Sequence, residues 1–344
     1  MLILNKHDVR SALSMRDAIS AVEEAYRKGS GKEADIPLRT PVHSPDGPGI
    51  ALFMPGYVRG EASGMPGAGS SGRTGTLGAK IISIFERNPL RGLTTVQAVL
   101  VLLSPDTGEV LAVMEAGTLT ALRTGAGSGA ATKLLANPDA SVATIFGAGA
   151  QARTQLEAMA CVRPLQEVFV CDIDAARAAA FAGEMEGCLR ESFPSISVTP
   201  TTDIAGAVSR SDLIACATTS PIPLFSGDLV KPGAHINAIG SYTPDRRELS
   251  EGLLLRADKV VVDDIGAVLS EAGDFIIPIR NGAFSEDRIH GEVGEILLGR
   301  KPGRERRDEI TVYKAVGMAT LDLLAGRMAY ENALEKGLGT RVEF

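Results

Sequence analysis

A glycine-rich turn between a predicted strand and a predicted helix most constrains how this chain can fold. The apolar run that begins at Ser141 leads into Gly147, Gly149 and Ala152, which have the spacing G-x-G-x-x-A. In a dinucleotide-binding fold, the first glycine permits the tight turn and the second lets the backbone approach a pyrophosphate. The small third residue lets helix and strand pack closely, and the N–H groups that open the helix bind phosphate. The pattern predicts a dinucleotide site, with an ordinary strand-to-helix turn as the alternative.

An acidic residue after the next strand supports this prediction. The strand Glu167–Cys171 ends at Asp172, about 25 residues after the first glycine, which is near the spacing at which a carboxylate accepts the ribose hydroxyls of a dinucleotide. Asp172 would repel a 2′-phosphate, and Ile173 offers no guanidinium beside it. The sequence therefore favours NADH, and Arg177 on the following helix keeps NADPH open as the alternative cofactor.

Composition and charge argue against several classes of protein. The length of 344 residues favours two domains, and a net charge of −7 leaves no basic stripe for nucleic acid. No apolar run approaches the roughly 18 residues that span a bilayer, and polar residues follow the first methionine too soon for a signal peptide. Four cysteines without a C-x-x-C pair are typical of reduced thiols in a cytoplasmic protein. Four histidines without metal-ligand spacing predict no metal site.

The first part of the chain predicts strands that follow one another without intervening helices. They are Leu77–Phe85, Val96–Leu103 and Glu109–Met114, and the last two are joined by a turn that contains proline and glycine. This pattern predicts an antiparallel sheet. The preceding segment Glu61–Gly75 is rich in Gly, Ser, Ala and Met, which predicts a mobile surface loop.

From residue 142 onward, predicted strands alternate with predicted helices. About six strands with helical crossovers indicate a parallel, doubly wound sheet. A helix over Met318–Lys336 is apolar enough to return to the N-terminal sheet. We therefore predict an α/β fold in which residues 124–311 form a Rossmann dinucleotide-binding domain. Residues 1–123 and 312–344 form a discontinuous α+β domain for substrate binding and dimerisation.

Three cations in the predicted substrate domain are candidates for chemistry. Arg39 follows an extended segment restricted by a proline, Lys80 lies inside an apolar strand, and Arg123 lies near the start of a predicted helix. Taken alone, Lys80 is more simply interpreted as an outward-facing lysine on an amphipathic strand.

These residues and their neighbours resemble the ornithine cyclodeaminase/mu-crystallin family over essentially the whole chain. The matching motifs are Leu77–Lys80, Gly92–Thr95, Thr120–Ala126, Gly147–Ala152, Asn237–Gly240 and Arg247–Leu249, together with Arg39 after its proline. The resemblance implies an N-terminal substrate-binding and dimerisation domain, a Rossmann domain and a homodimer.

The resemblance also implies roles for individual residues. Arg39, Lys80 and Arg123 match positions that bind an amino-acid carboxylate and line the reaction centre, and Val316 matches a substrate-side position. Cofactor contacts are implied for Thr95, Arg123, Gly147, Gly149, Ala150, Gln151, Asp172, Thr218, Ala238, Ile239 and Ala315. Physical chemistry agrees, because a guanidinium presents two parallel donors to a carboxylate. A lysine crowded by two arginines should have a lowered pKa, which suits it to exchange a proton near neutrality.

The loop after the fifth predicted strand of the Rossmann domain distinguishes branches of this family. Cyclodeaminases and archaeal alanine dehydrogenases have an aspartate two residues before the proline, whereas this chain has Tyr242 before Pro244 and Asp245 after it. Tyrosine cannot supply the carboxylate that a cyclodeaminase needs beside the side-chain amine of its substrate. The loop is similar instead to that of mu-crystallin-type ketimine reductases and bacterial pyrroline-2-carboxylate reductases. The carboxylate of Asp245 could still occupy the space of the missing aspartate.

The resemblance therefore predicts reduction of a cyclic imino acid by NAD(P)H. The substrate would be Δ1-pyrroline-2-carboxylate or Δ1-piperideine-2-carboxylate, and the product L-proline or L-pipecolate. Arg39 and Arg123 would hold the carboxylate, Lys80 would keep the imine nitrogen protonated, and Asp245 is a second candidate partner for the iminium. Three alternatives stay open: ornithine cyclodeamination with catalytic NAD⁺, amino-acid dehydrogenation of the alanine type, and binding of a small molecule without turnover.

Overall fold

The chain divides into two compact units in the computed structural model, which describes residues 1–44, 49–60 and 75–343. One unit combines Met1–Arg123 with Met318–Phe344, and the other is Thr124–Gly317. Residues 61–74 of the predicted loop Glu61–Gly75 lie outside the described residues.

The strands and helices are numbered in chain order. The strands are β1 (Leu2–Leu4), β2 (Ala34–Asp35), β3 (Thr40–His43), β4 (Gly49–Val58), β5 (Thr76–Phe85), β6 (Val96–Leu103), β7 (Val110–Glu115), β8 (Val142–Phe146), β9 (Glu167–Cys171), β10 (Ser197–Pro200), β11 (Leu213–Cys216), β12 (His235–Ala238), β13 (Lys259–Val262), β14 (Ile289–Glu292), β15 (Thr311–Lys314) and β16 (Thr340–Arg341). The α-helices are α1 (Lys6–Ala12), α2 (Met15–Ser30), α3 (Ala116–Leu135), α4 (Ala150–Val162), α5 (Ala175–Leu189), α6 (Ile204–Arg210), α7 (Glu251–Arg256), α8 (Ile265–Glu271), α9 (Gly273–Arg280), α10 (Val293–Leu297) and α11 (Ala319–Lys336).

The first unit is built on a mixed sheet. Within the described residues it has eight strands in the order β16-β1-β7-β6-β5-β4-β2, with β3 paired to β4. The pairings are antiparallel except for that of β1 with β7. Successive residues of β5 alternate between buried and partly exposed from Thr76 to Ser83, as expected for a strand with one face on a core. Helix α11 packs on α2, β4 and β5, and it covers the face to which Lys80 belongs.

The second unit is a Rossmann-like domain. Its sheet within the described residues has eight strands, all parallel, in the order β10-β9-β8-β11-β12-β15-β13-β14. The central strands β11, β12 and β15 are buried at every position, because helices cover both faces of such a sheet. The predicted α/β class is confirmed, with a parallel Rossmann-like sheet and a separate mixed sheet.

The second unit ends later than the sequence predicts. The sequence predicts the boundary at 311/312, whereas the compact unit continues to Gly317. The reason is β15, which pairs with both β12 and β13 and so lies inside the parallel sheet. The sequence of β15 is only four residues long, and a strand this short does not show by itself which of the two sheets it joins. Among the described helices, none is long and apolar enough to cross a membrane.

Candidate active site

A buried ion cluster joins three elements of the first unit. The side chains of Lys80 and Asp322 are each 1% exposed, and Lys80 Nζ donates to Asp322 Oδ2 at 2.6 Å. The second carboxylate oxygen, Oδ1, accepts from Arg123 Nε at 3.0 Å. The three residues come from β5, α3 and α11, so the cluster depends on the return of the C-terminal helix to the sheet.

Burial and the neighbouring charges have opposing effects on the pKa of Lys80. Burial is the largest influence and lowers the pKa of Lys80 to about 8, while Asp322 raises it and Arg123 lowers it. The predicted lowering is confirmed in direction, but crowding by arginines is not its main cause. Burial alone would raise the pKa of Asp322, and the positive charges of Arg123 and Lys80 lower it below the ordinary value. Lys80 can therefore exchange a proton near neutrality while Asp322 stays ionised.

Arg39 is the third predicted cation of this site. It lies half-buried directly before β3, and its charge also lowers the pKa of Lys80. The structure therefore places Arg39 within electrostatic reach of the cluster. Thr95 is half-buried just before β6, and its carbonyl accepts from the Phe85 N–H at 2.9 Å. Its predicted contact with the cofactor stays a prediction.

Asp322 is the residue of this cluster that the sequence did not reveal. The apolar positions of the last helix predict its packing, and Asp322 is a single acid between Leu321 and Leu323. An acidic side chain within an apolar run of a helix is a usable signal, because a carboxylate is buried only beside a cation or a hydrogen-bond donor.

The glycine-rich turn in the second unit fits a dinucleotide phosphate. Gly147 follows β8 with φ of 92°, and a Cβ there would lie 2.6 Å from the Ala217 carbonyl oxygen. Gly149 is the N-cap of α4 and supplies no side-chain cap, and a Cβ on it would meet no atom within 4 Å. The first N–H groups of α4, from Ala150 and Gln151, thus open onto space that a phosphate can occupy.

Asp172 follows β9 at the edge of the sheet where this turn lies. Its Oδ2 accepts from the Ala148 N–H at 2.8 Å, and Oδ1 accepts from the Asp174 N–H at 2.9 Å and from Arg177 Nη2 at 2.6 Å. Burial alone would raise the pKa of Asp172, but the hydrogen bonds from Arg177 and the two backbone N–H groups lower it. The carboxylate is therefore ionised and already tied to the glycine-rich turn.

The remaining predicted cofactor residues lie at the carboxyl ends of the central strands. Ala238 is the last residue of β12 and Ile239 follows it, and both are buried. Thr218, after β11, donates its N–H and Oγ1 to Glu248 Oε1 at 2.6 and 2.8 Å. Glu248 Oε2 accepts from the Gly240 N–H at 2.7 Å, so one buried carboxylate holds the loops after β11 and β12 together.

A second buried ion pair, between Lys314 and Asp274, contacts the backbone of Glu248. Lys314 Nζ lies 2.8 Å from Asp274 Oδ2, with both side chains fully buried, and it donates to the Ser241 carbonyl at 2.6 Å. Asp274 Oδ1 accepts from the Glu248 N–H at 2.7 Å. Burial raises the pKa of Glu248. The sequence gives no role to these residues, because they are far apart in the chain and form no motif of fixed spacing.

The segment after β15 is held by another buried carboxylate. Asp263 Oδ2 accepts from the Val316 N–H at 2.9 Å and from the Gly317 N–H at 2.6 Å. Burial raises the pKa of Asp263 to about 6. Ala315 and Val316, which the sequence assigns to the cofactor and the substrate, therefore lie on a backbone that Asp263 positions.

Asp245 differs from these carboxylates because it is exposed. Its Oδ1 accepts from Thr243 Oγ1 at 2.7 Å, and this hydrogen bond lowers its pKa. Tyr242, in the same loop, is 38% exposed. The role of Asp245 as a partner for an iminium stays a prediction. In the described part of the chain, no group of His, Cys, Asp and Glu side chains is arranged to hold a metal.

The comparison with known proteins decides the family. The model of the ornithine cyclodeaminase/mu-crystallin family matches residues 1–337. The chain belongs to this family. A Δ1-pyrroline-2-carboxylate reductase of Bacillus cereus is 35% identical over 346 residues, which span 100% of both chains.

Two solved structures of relatives have the same fold. The Δ1-pyrroline-2-carboxylate reductase of Thermococcus litoralis, in complex with NADH and L-proline, has a TM-score of 0.89 at 39% identity, covering 99% of this chain and 100% of that one. An archaeal alanine dehydrogenase dimer with bound NAD has a TM-score of 0.88 at 34% identity, covering 100% of this chain and 99% of that one. This member of the family is accordingly an NAD(P)H-dependent oxidoreductase, of the imino acid reductase or amino acid dehydrogenase type.

The glycine-rich turn gives a direct test of the dinucleotide site. Gly147→Ala should weaken NADH binding at least tenfold, because the new Cβ meets the Ala217 carbonyl in a backbone conformation that favours glycine. Isothermal titration calorimetry with NADH measures the change.

Gly183→Ala is the matched control. Gly183 lies inside α5, and a Cβ on it would meet no atom within 4 Å. This variant should bind NADH as the wild type does, with equal or higher thermal stability, since alanine favours a helix interior over glycine. Equal NADH affinity in Gly147→Ala and the wild type would contradict the assignment of the turn.

Proposed function

We propose that this enzyme reduces a cyclic imino acid, Δ1-pyrroline-2-carboxylate or Δ1-piperideine-2-carboxylate, to L-proline or L-pipecolate. The observation that carries the proposal is the buried Lys80, whose pKa of about 8 leaves it a proton to give near neutrality. The likeness to a reductase solved with NADH and L-proline supports the same chemistry. Tyr242 argues against ornithine cyclodeamination, since it has no carboxylate for a substrate ammonium group.

The cation cluster performs the substrate side of the reaction. Lys80, Arg123 and Asp322 together carry one net positive charge, and Arg39 adds another, so the site attracts the substrate carboxylate. Arg39 and Arg123 bind that carboxylate through their guanidinium groups. Lys80 keeps the imine nitrogen protonated, directly or through a water, and an iminium accepts hydride far better than a neutral imine. The reduced nicotinamide supplies the hydride when it is bound.

Asp322 acts through the two cations that it holds. Its hydrogen bond to Arg123 Nε orients the guanidinium plane, and its bond to Lys80 Nζ keeps the ammonium from being fully neutralised by burial. Positioned charge of this kind accounts for most of the rate gain in many enzymes, since it needs no reorganisation during the reaction.

A substrate panel tests the proposal and separates it from the alternatives. Purified enzyme with NADH, and separately with NADPH, should oxidise the cofactor at 340 nm with one or both cyclic imines. Pyruvate with ammonia tests the alanine-type dehydrogenase, which the archaeal relative favours. L-Ornithine with NAD⁺, assayed for ammonia, tests cyclodeamination. Turnover of pyruvate and ammonia with neither imine reduced would replace our proposal by the dehydrogenase.

The pH profile tests Lys80 as the acid. Because the protonated form is the active one, kcat/KM for imine reduction should fall about tenfold per pH unit above pH 8. Asp322→Asn removes the charge that raises the pKa of Lys80, so this fall should begin at lower pH, with kcat reduced at least tenfold. Lys80→Met should lose at least about 100-fold relative to the wild type below pH 8, and this difference should narrow above pH 8, where the wild type loses the Lys80 proton.

Glu331→Gln is the control, because it removes an exposed acid from the same helix. Protonation of the free imine affects all variants equally, so the difference between profiles reports on Lys80 alone. A profile of Asp322→Asn that superposes on the wild type would rule out the coupling between these side chains.

The enzyme assembles as a homodimer through the second face of the mixed sheet. This face presents Val42 and Phe53, which are 51% and 40% exposed, beside the partly exposed Ile81, Val99 and Val101 of β5 and β6. A continuous apolar sheet face of this kind is typical of an interface between subunits, and the archaeal alanine dehydrogenase relative is a dimer. The cysteines form no disulfide in the described chain, which agrees with a reducing, cytoplasmic location.

Light scattering after size exclusion tests the dimer. The wild type should have twice the mass of one chain, and Phe53→Glu should shift it towards the monomer, because a charge would have to be buried in the interface. Leu334→Glu, at an equally exposed position on α11, should remain dimeric. Loss of the dimer in both variants, or in neither, would place the interface elsewhere.

A further inference from the structure

The turn between β9 and α5 combines two side chains with opposite preferences for the cofactor. Asp172 is 6% exposed, and Arg177 is 53% exposed and reaches back from the first turn of α5 to Asp172 Oδ1. Ile173 between them is fully exposed. An acid at this position of a Rossmann fold accepts the ribose hydroxyls of NAD, whereas an arginine nearby accommodates the 2′-phosphate of NADP. Here the two groups form one ion pair.

We propose that Arg177 is a specificity-determining residue that moves from Asp172 to the 2′-phosphate of NADPH, so that the enzyme binds NADPH as well as NADH. With NADH, Arg177 stays on Asp172 and the carboxylate faces the ribose hydroxyls. The inference rests on the dinucleotide site of the second unit and does not depend on which substrate is reduced.

The other hydrogen bonds of Asp172 lower the free-energy cost of moving Arg177 away from it. When Arg177 leaves, the carboxylate still accepts from the Ala148 and Asp174 N–H groups, so it is not left without donors. An ion pair with a half-exposed guanidinium is weak in water. A 2′-phosphate carries more negative charge than a carboxylate and has three acceptor oxygens, and it can bind a guanidinium through two parallel hydrogen bonds.

The backbone around Arg177 keeps its side chain close to the ribose position. Asp174 is the N-cap of α5, and its Oδ1 accepts from the N–H groups of Ala176 and Arg177 at 3.0 and 3.1 Å. The helix therefore begins in a fixed place, and only the side chain of Arg177 has to change rotamer. Asp172 remains a like charge beside a 2′-phosphate, so the affinity for NADH should exceed that for NADPH by less than about tenfold.

Calorimetry with fragments that lack nicotinamide tests the inference by binding alone. ADP-ribose represents NADH, and 2′-phospho-ADP-ribose represents NADPH, each titrated into the full chain. The wild type should bind both, with dissociation constants within about tenfold of each other. Arg177→Met should weaken 2′-phospho-ADP-ribose at least tenfold and change ADP-ribose less than threefold. Arg177→Lys, which keeps the charge, should recover part of the lost affinity.

Arg190→Met is the matched control, because Arg190 follows the far end of the same helix and pairs with Glu186. It should leave both affinities unchanged, which separates a local contact from a change in net charge. Thermal unfolding checks that Arg177→Met is folded. Two results would overturn the inference: a wild type that does not bind 2′-phospho-ADP-ribose, or an Arg177→Met variant that loses both ligands equally. Failure of the imino acid assays would leave this result untouched.

Discussion

The buried carboxylate of Asp322 is the interaction on which the cluster of Lys80 and Arg123, our proposed substrate site, depends. Two cations inside an apolar sheet-and-helix core would be strongly unfavourable without a negative partner, because burial penalises every unpaired charge. One carboxylate serves both of them through its two oxygens. It does not cancel their charge, and the surplus positive charge is what a substrate acid can use. The same burial leaves Lys80 less basic than an exposed lysine. The packing of α11 on the sheet therefore determines both the stability of the cluster and the pKa of Lys80.

The second unit uses buried carboxylates differently. Glu248, Asp263 and Asp274 accept mostly from backbone N–H groups. Glu248 and Asp263 each join segments that follow different strands, and Asp274 joins α9 to the segment after β12. In a parallel sheet these loops share one edge, where a dinucleotide binds. Loops carry mobile backbone by default, and a carboxylate with several N–H donors restricts them without adding a cation that would compete for phosphate. Lys314 offsets part of the accumulated negative charge beneath them.

Local patterns predicted the fold well, and contacts between distant residues limited the prediction of the site. The turn at Gly147 and the alternation in β5 are properties of a few consecutive residues, and the structure reproduces both. Asp322 is separated from Lys80 by most of the chain, so no spacing could connect them. The same holds for β15, whose place between β12 and β13 is decided by pairing. The lowered pKa of Lys80 could be expected from its neighbours, but its main cause, burial, requires the packed helix α11.

The discontinuity of the first unit has a consequence for biosynthesis. A ribosome releases β5 and α3 long before α11, and the whole parallel-sheet unit is made in between. Until α11 emerges, Lys80 and Arg123 have no carboxylate partner, so burying their charges in the core of the first unit costs free energy. A nascent chain that stops short of this last long helix therefore lacks both the hydrophobic cover of the mixed sheet and the carboxylate that pairs with Lys80 and Arg123.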